Sequence, residues 1–320
     1  MDYYVGVDIG GTKIAYGLFD EKKQLIMKKV LPSDDKLVGE DFFSPIAQEI
    51  RLYQQEAEKL GGKLQGVGIG ITGFVDFENG AITVSCSLPG TNHFPVARYL
   101  QSQLGSDIRV VMDNDGHCGA LAEYRQGAGR GHRHMVYCPV STGISSAIII
   151  DGQVFRGSNG AAGESGHAIA DPPEDLRIDC DCGNSGCYNS MGTGKSIVVH
   201  VKRWLEQGEV SIIPELAGGV EHITAKHISQ AYDLGDALAI RAVDQMVHYL
   251  TIWIFNVYML LNIDCFVFAG GLLAMGDKLI GRMIREFETY HTNGFPVEFY
   301  TTQLGSDSGL IGAMELLFEE

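Results

Sequence analysis

Basic residues are scarce in this 320-residue chain: 24 Lys and Arg stand against 40 Asp and Glu, a formal net charge of −16. A surface of that sign repels phosphate backbones and anionic lipid, which sets nucleic acid and membrane surfaces aside as partners. No long apolar run is present either. The most apolar stretch, about Met246–Leu261, carries His248, Thr251 and Asn256. It falls short of the ~20 clean residues a membrane span needs, and reads as a buried helix or a subunit contact. The N-terminus lacks a charged-then-apolar leader and enters a strand-like run at Tyr3–Ile9, so a cytoplasmic protein is expected. Two nucleotide fingerprints fail on context. Gly68, Gly70 and Gly73 have dinucleotide-binding spacing, but a strand and turn follow them instead of a helix. Gly194-Lys195-Ser196 ends like a P-loop, yet Asn189 stands where its first glycine belongs.

What is present begins with bulk. At 45% hydrophobic residues the chain buries a sizeable core, and its length points to two lobes. Strand patterns occupy Tyr3–Ile9, Lys13–Asp20 and Gln24–Val30, with a Gly-Gly-Thr turn after the first. Helical spacing covers Asp41–Leu60, Phe94–Leu104 and Gly116–Gln126, and strands are expected at Gln65–Ile71 and Ile108–Met112. A second round starts at Met135: strand, Ser141-Thr142-Gly143 turn, strand to Ile150, Asp151-Gly152 hairpin. The repetition predicts an α/β fold with two similar lobes. Residues 157–194 show little periodicity; helices dominate from Lys195 to Asn262, and a closing helix spans Leu310–Phe318.

Three clusters carry chemistry. In the first, Asp8 ends a strand and Gly10, Gly11, Thr12 and Lys13 follow. Glycines let a polyanion approach backbone N–H groups, Thr12 adds a hydroxyl donor and Lys13 a charge. Asp8 suits magnesium through water; a plain tight turn with a solvated carboxylate is the alternative. Thr142 and Gly143 in the second turn can grip the same phosphates, and Gly270-Gly271 would admit an adenosine against bare backbone. In the second cluster, Asp113-Asn114-Asp115 end a strand, the usual place for ligands in a parallel sheet. One Asp there can accept a proton from an acceptor alcohol, and Asn114 can bond sugar hydroxyls. The alternative is a helix cap supplied by Asp115. The third cluster, His167, Cys180, Cys182 and Cys187, has the donor set of a structural zinc site with no open coordination position. If zinc takes one ring nitrogen of His167, the other can still donate to a sugar hydroxyl, with Glu164 beside it.

Together VDIGGTK, DND before a small-residue helix, STG, GESGH, CDCGNSGC and AGG resemble the ROK family of sugar kinases, within the actin-like ATPase superfamily. The pieces lie in the family's order across almost the whole chain. The resemblance implies a two-lobed, ribonuclease H-like fold with duplicated lobes and an interlobe cleft. The lobes are expected at 1–118 plus 302–320, and at 119–301 with the zinc segment 167–187. It implies transfer of the γ-phosphoryl of ATP, with magnesium, most often to the 6-hydroxyl of a hexose. By match Asp115 is the general base, and Asn114, Glu164, His167 and Asn189 face the sugar. Gly10, Gly11, Thr12, Thr142 and Gly143 line the phosphates, Gly270 and Gly271 lie near adenosine, and a homodimer is expected.

Three departures bear on specificity. Asn189 stands where the family usually has Glu, Ser87 where it often has Asn, and Ser141, Ser145 and Ser146 where glycines are usual. An altered substrate, such as an epimer, an N-acylated sugar or a glycoside, is one consequence. The family also contains sugar-responsive repressors with an N-terminal helix-turn-helix. Here the phosphate motif begins after only seven residues, and the charge opposes DNA. The remaining alternative is a sugar-binding sensor with weak or no kinase activity.

Overall fold

The computed structural model describes residues 1–319. The chain opens with strands β1 (Asp2–Ile9), β2 (Lys13–Phe19) and β3 (Leu25–Pro32). Helix α1 (Glu40–Lys59) leads to β4 (Lys63–Ile71), the short strands β5 (Phe74–Asp76) and β6 (Ala81–Val84), and helix α2 (Val96–Leu104). Strand β7 (Arg109–Asn114) runs straight into α3 (Asp115–Gln126). Strands β8 (Met135–Pro139), β9 (Ala147–Ile150) and β10 (Gln153–Val154) follow, then helices α4 (Gly194–Glu206), α5 (Ile213–Ala217), α6 (Ala225–Asp233) and α7 (Ala237–Leu261). Strand β11 (Cys265–Ala269), helix α8 (Ile280–Tyr290), strand β12 (Glu298–Thr301) and helix α9 (Ser308–Glu315) close the chain. The α/β class is the expected one.

Two compact units emerge. The first holds Met1–His134, Ala147–Ala162 and the segment from Gln303 onward; the second holds Met135–Ser146 and Gly163–Thr302. A boundary between residues 118 and 119 would cut through α3. That helix instead packs along α9 as one piece, so both of its ends belong to the first unit.

In the first unit the sheet order is β3-β2-β1-β4-β7. The hairpins β1–β2 and β2–β3 are antiparallel, while β1, β4 and β7 run parallel. Strands β1 and β4 are apolar nearly throughout because both faces are covered. Helix α1 lays Phe43, Ile46, Ile50 and Tyr53 into the core at helical spacing. Helix α9 packs on β1 and β4. There the backbones almost touch: a Cβ on Gly68 would lie 1.7 Å from the Ala313 carbonyl oxygen, and one on Gly312 would lie 1.7 Å from that of Cys118. This is why β4 is glycine-rich. Across the three parallel strands Asp8, Gly70 and Asp113 share one level, so the two acidic residues stand at the same end of the sheet with Gly70 of β4 between them.

In the second unit β11 runs parallel to both β8 and β12. Its longest helix, α7, starts at Asp236, whose carboxylate accepts from the Ala239 N–H at 2.9 Å, and ends at Asn262 in the left-handed conformation. The apolar stretch noted at Met246–Leu261 is the C-terminal part of this helix. Among the described residues no helix is long and apolar enough to cross a membrane.

Candidate functional site

The expected site residues gather in two groups, one in each unit. In the first unit the turn between β1 and β2 is closed by the Gly10 N–H donating to the Lys13 carbonyl at 2.9 Å. Thr12 and Lys13 stand exposed at its tip. A Cβ on Gly11 would come within 3.3 Å of Ser87, so the turn and the Ser85–Pro89 segment lie against each other. Asp8 is partly buried. That burial and the nearby charge of Asp115 raise its pKa to about 6, against the pull of Lys13 and Lys28. Gly309, at the start of α9, leaves room for this carboxylate: a Cβ there would sit 2.8 Å from Oδ2 of Asp8. No spacing in the sequence links residues 8 and 309.

The Asp113-Asn114-Asp115 triplet divides its work. Asp113 is buried; it accepts from His117 Nδ1 at 2.8 Å and from Arg156 Nε at 2.7 Å. Burial alone would raise its pKa, but the bond and charge of His117 and the charge of Arg156 hold it below the usual carboxylate range. Asn114 caps α3: its Oδ1 accepts from the Gly116 N–H at 2.8 Å, and its Nδ2 donates to the Gly73 carbonyl at 2.9 Å. The cap weighed for Asp115 is thus mainly Asn114's work. Asp115 keeps its carboxylate accessible to solvent. Desolvation by the surrounding protein raises its pKa, against the Gly116 N–H and the charge of His117. Gly70, whose missing Cβ would lie 3.0 Å from Sγ of Cys118, lets the first turn of α3 sit close over the sheet.

In the second unit the turn after β8 is pinned from several sides. The Ser141 N–H donates to the Gly143 carbonyl at 2.9 Å, and the Gly194 N–H donates to the Ser141 carbonyl at 2.8 Å. The Ile144 N–H donates to Oδ1 of Asn189 at 2.7 Å. Asn189, expected to face sugar, therefore has its carbonyl oxygen committed to this turn, and its amide NH2 is what it can offer a ligand. Gly270 has φ +99°, and a Cβ on it would lie 2.4 Å from the Val140 carbonyl oxygen, so only glycine fits there. A cavity of about 520 Å³ opens over Ser141, Thr142, Gly194, Lys195, Gly271 and Leu272, with Val198, Val199 and Ile223 adding apolar wall. Gly194-Lys195 joins Thr142 here as the N-terminus of α4, capped by Thr193, and not as a P-loop. Lys202, which no motif singled out, also lines this cavity.

The His167–Cys187 segment also lies in the second unit. The ligand atoms of His167, Cys180, Cys182 and Cys187 all fall within 4.8 Å of one another. Cys182 and Cys187 sulfurs are 3.6 Å apart, and Cys180 Sγ is 3.4 Å from Nδ1 of His167. Zinc–sulfur bonds of about 2.3 Å at tetrahedral angles put sulfurs about 3.8 Å apart, so the four donors fit zinc. Nε2 of His167 turns the other way, 3.9 Å from the Glu164 carboxylate. Gly183 and Gly186, with φ +88° and +72°, make the turns between the cysteines. In GESGH, a Cβ on Gly166 would lie 2.0 Å from the Ile144 carbonyl oxygen, which draws this loop against the Ser141–Ile144 turn.

A family model described as "ROK family" matches residues 4–320. The glucokinase of Halalkalibacterium halodurans is 30% identical over 312 residues, 97% of this chain and 93% of that protein. The ROK hexokinase of Thermus thermophilus superposes with a TM-score of 0.80 at 27% identity, covering 98% of this chain and 96% of that one. A ROK family glucokinase from Streptomyces griseus, solved in complex with glucose and AMPPNP, superposes with a TM-score of 0.74 at 27% identity, covering 98% of both chains.

Proposed function

The chain belongs to the ROK family, and from that membership we propose that Asp115 is the general base of its sugar-kinase reaction, acting on the 6-hydroxyl of a hexose or hexose derivative. The fold is the actin-like ATPase fold of the family's sugar kinases, and the activity is phosphorylation of a sugar by ATP. One observation carries the assignment of the base. Of the Asp-Asn-Asp triplet, Asp113 is consumed by His117 and Arg156, and Asn114 by the helix cap and Gly73. Asp115 alone keeps an accessible carboxylate, with a pKa raised toward that of a useful base.

The acceptor hydroxyl gives its proton to Asp115 as its oxygen bonds to the γ-phosphorus and the bond to the ADP oxygen breaks. Most of the rate comes from alignment and charge neutralisation. In the first unit the Gly10–Thr12 turn offers backbone N–H groups and the Thr12 hydroxyl to phosphate oxygens, with the Lys13 charge beside them. In the second unit Thr142, Gly143 and the α4 N-terminus offer donors of the same kind, and the 520 Å³ cavity beside them suits an adenosine. Magnesium, when bound, neutralises the phosphate oxygens, and Asp8, held near pKa 6 by burial and Asp115, is the carboxylate suited to face it through water. Zinc on His167, Cys180, Cys182 and Cys187 serves as a structural brace for the Glu164–His167 loop. Glu164 and Nε2 of His167 supply an acceptor and a donor to sugar hydroxyls. Asn189 contributes at most its NH2, a donor where a Glu would accept, which favours an acceptor atom on that side of the substrate. A homodimer in the cytoplasm completes the reading.

An ADP-release assay across hexoses, N-acetylhexosamines and glycosides tests it. ADP formed with at least one hexose-type sugar, and lost when the 6-hydroxyl is absent, supports the reading. Turnover that survives removal of the 6-hydroxyl contradicts it.

A further inference from the structure

A buried charge cluster stands behind Asp115, and no step of the reaction described above uses it. His117 and Asp113 are 3% and 1% exposed. His117 Nδ1 meets Asp113 Oδ1 at 2.8 Å, while its Nε2 lies 3.5 Å from the Ala162 carbonyl oxygen. Arg156 bonds the other Asp113 oxygen at 2.7 Å, pairs with Glu319, and lies 3.6 Å over the Phe77 ring. Apolar residues could fill such a volume without the cost of desolvating ions. The cluster joins the start of α3 to the 156–162 segment, which continues in the sequence into Gly163-Glu164-Ser165-Gly166-His167.

We propose that His117 is a positioning residue for phosphoryl transfer: through Asp113 and Arg156 it fixes the start of α3, and its charge sets the basicity of Asp115. This rests on Asp115 being the base. Both ring nitrogens of His117 face oxygen acceptors, Asp113 and Ala162, which only the doubly protonated imidazolium can satisfy at once. The groups around it agree. Burial disfavours the imidazolium, but the bond and charge of Asp113 outweigh burial and the opposing charge of Arg156, so its pKa lies above the ordinary value. Among the described residues, Asp115 and Asp8 carry charge close by, with Lys13 and Lys28 beside Asp8, and Glu319 pairs with Arg156. A cation at His117 lowers the pKa of Asp115. It thereby opposes the effect of desolvation on the base.

The test is the pH profile of kcat/KM for the sugar in His117→Asn. The Asn amide nitrogen can take the place of Nδ1 and still donate to Asp113, but it carries no charge. The acid limb should move to higher pH by about half a unit or more, and the KM for ATP should stay within about twofold. An unmoved acid limb overturns the proposal. Should that variant fail to fold, NMR titration of His117 in the native protein decides: an imidazolium at pH 7 supports the proposal, and a neutral ring overturns it. An Asp115→Asn control keeps the two readings apart. Turnover that survives there refutes the base, whereas turnover lost there beside an unmoved limb in His117→Asn refutes the positioning role alone.

Discussion

Oδ1 of Asn189 accepts the Ile144 N–H at 2.7 Å, so a residue two positions after Cys187 holds the Ser141–Ile144 turn in place. Removing it with Asn189→Ala leaves the Ile144 N–H without its side-chain partner. Hydrogen exchange in peptides covering 141–146 should accelerate, and the KM for ATP should rise roughly tenfold, about what one lost hydrogen bond to a binding loop is worth. An unchanged KM for ATP would show that the turn does not depend on this anchor.

Two glycines of α9 should respond differently to the same added methyl group. In Gly309→Ala the new Cβ first meets the Asp8 carboxylate, at 2.8 Å, and a side chain can swing away. The protein should fold and lose turnover by about tenfold or more, because catalysis depends on small displacements. In Gly312→Ala the Cβ meets the Cys118 carbonyl oxygen at 1.7 Å, and backbone cannot yield. That variant should lose several kcal/mol of stability or fail to fold. Thermal melts and steady-state rates of the pair check both.

Asp8 works against the ligand-free fold. Its pKa is about 6 in the folded state against the ordinary 3.8 of an Asp side chain. The native state therefore holds its proton longer, and stability falls as pH rises between those two values. At pH 7 without nucleotide or magnesium, Asp8→Asn should raise Tm by a few degrees, from about 1–2 kcal/mol, while ATP-dependent turnover collapses. A lower Tm would mean that the charge is already compensated in the ligand-free protein.

Zinc content gives an independent check on the second unit. The native protein should carry one zinc per chain by elemental analysis. Cys182→Ser should abolish it, lower Tm by several degrees and raise the KM for the sugar more than that for ATP. A variant that keeps its metal, or loses it without cost, would remove the structural role.

Much of the fold was legible because strands, turns and clusters of Cys and His announce themselves locally. Gly10-Gly11-Thr12, Asp113-Asn114-Asp115 and the Cys180–Cys187 spacing need only a few residues each to be recognised. What could not be read were partnerships across long separations. Gly309 beside Asp8, and Arg156 beside Asp113, follow from how α9 and the 156–162 segment pack on the sheet. The division of labour within Asp113-Asn114-Asp115 was hidden for the same reason: which of three adjacent polar residues caps a helix depends on the strand-to-helix geometry. Gly194-Lys195 was correctly denied a P-loop by its context, yet it lines the cavity as a helix N-terminus.

ADP release by Asp115→Asn, measured with saturating ATP and a sugar the native protein accepts, bears most directly on the account. The variant should fold and bind sugar as before while kcat drops by two to four orders of magnitude, the usual worth of a general base. A kcat near the native value would contradict the placement of the base at the head of α3.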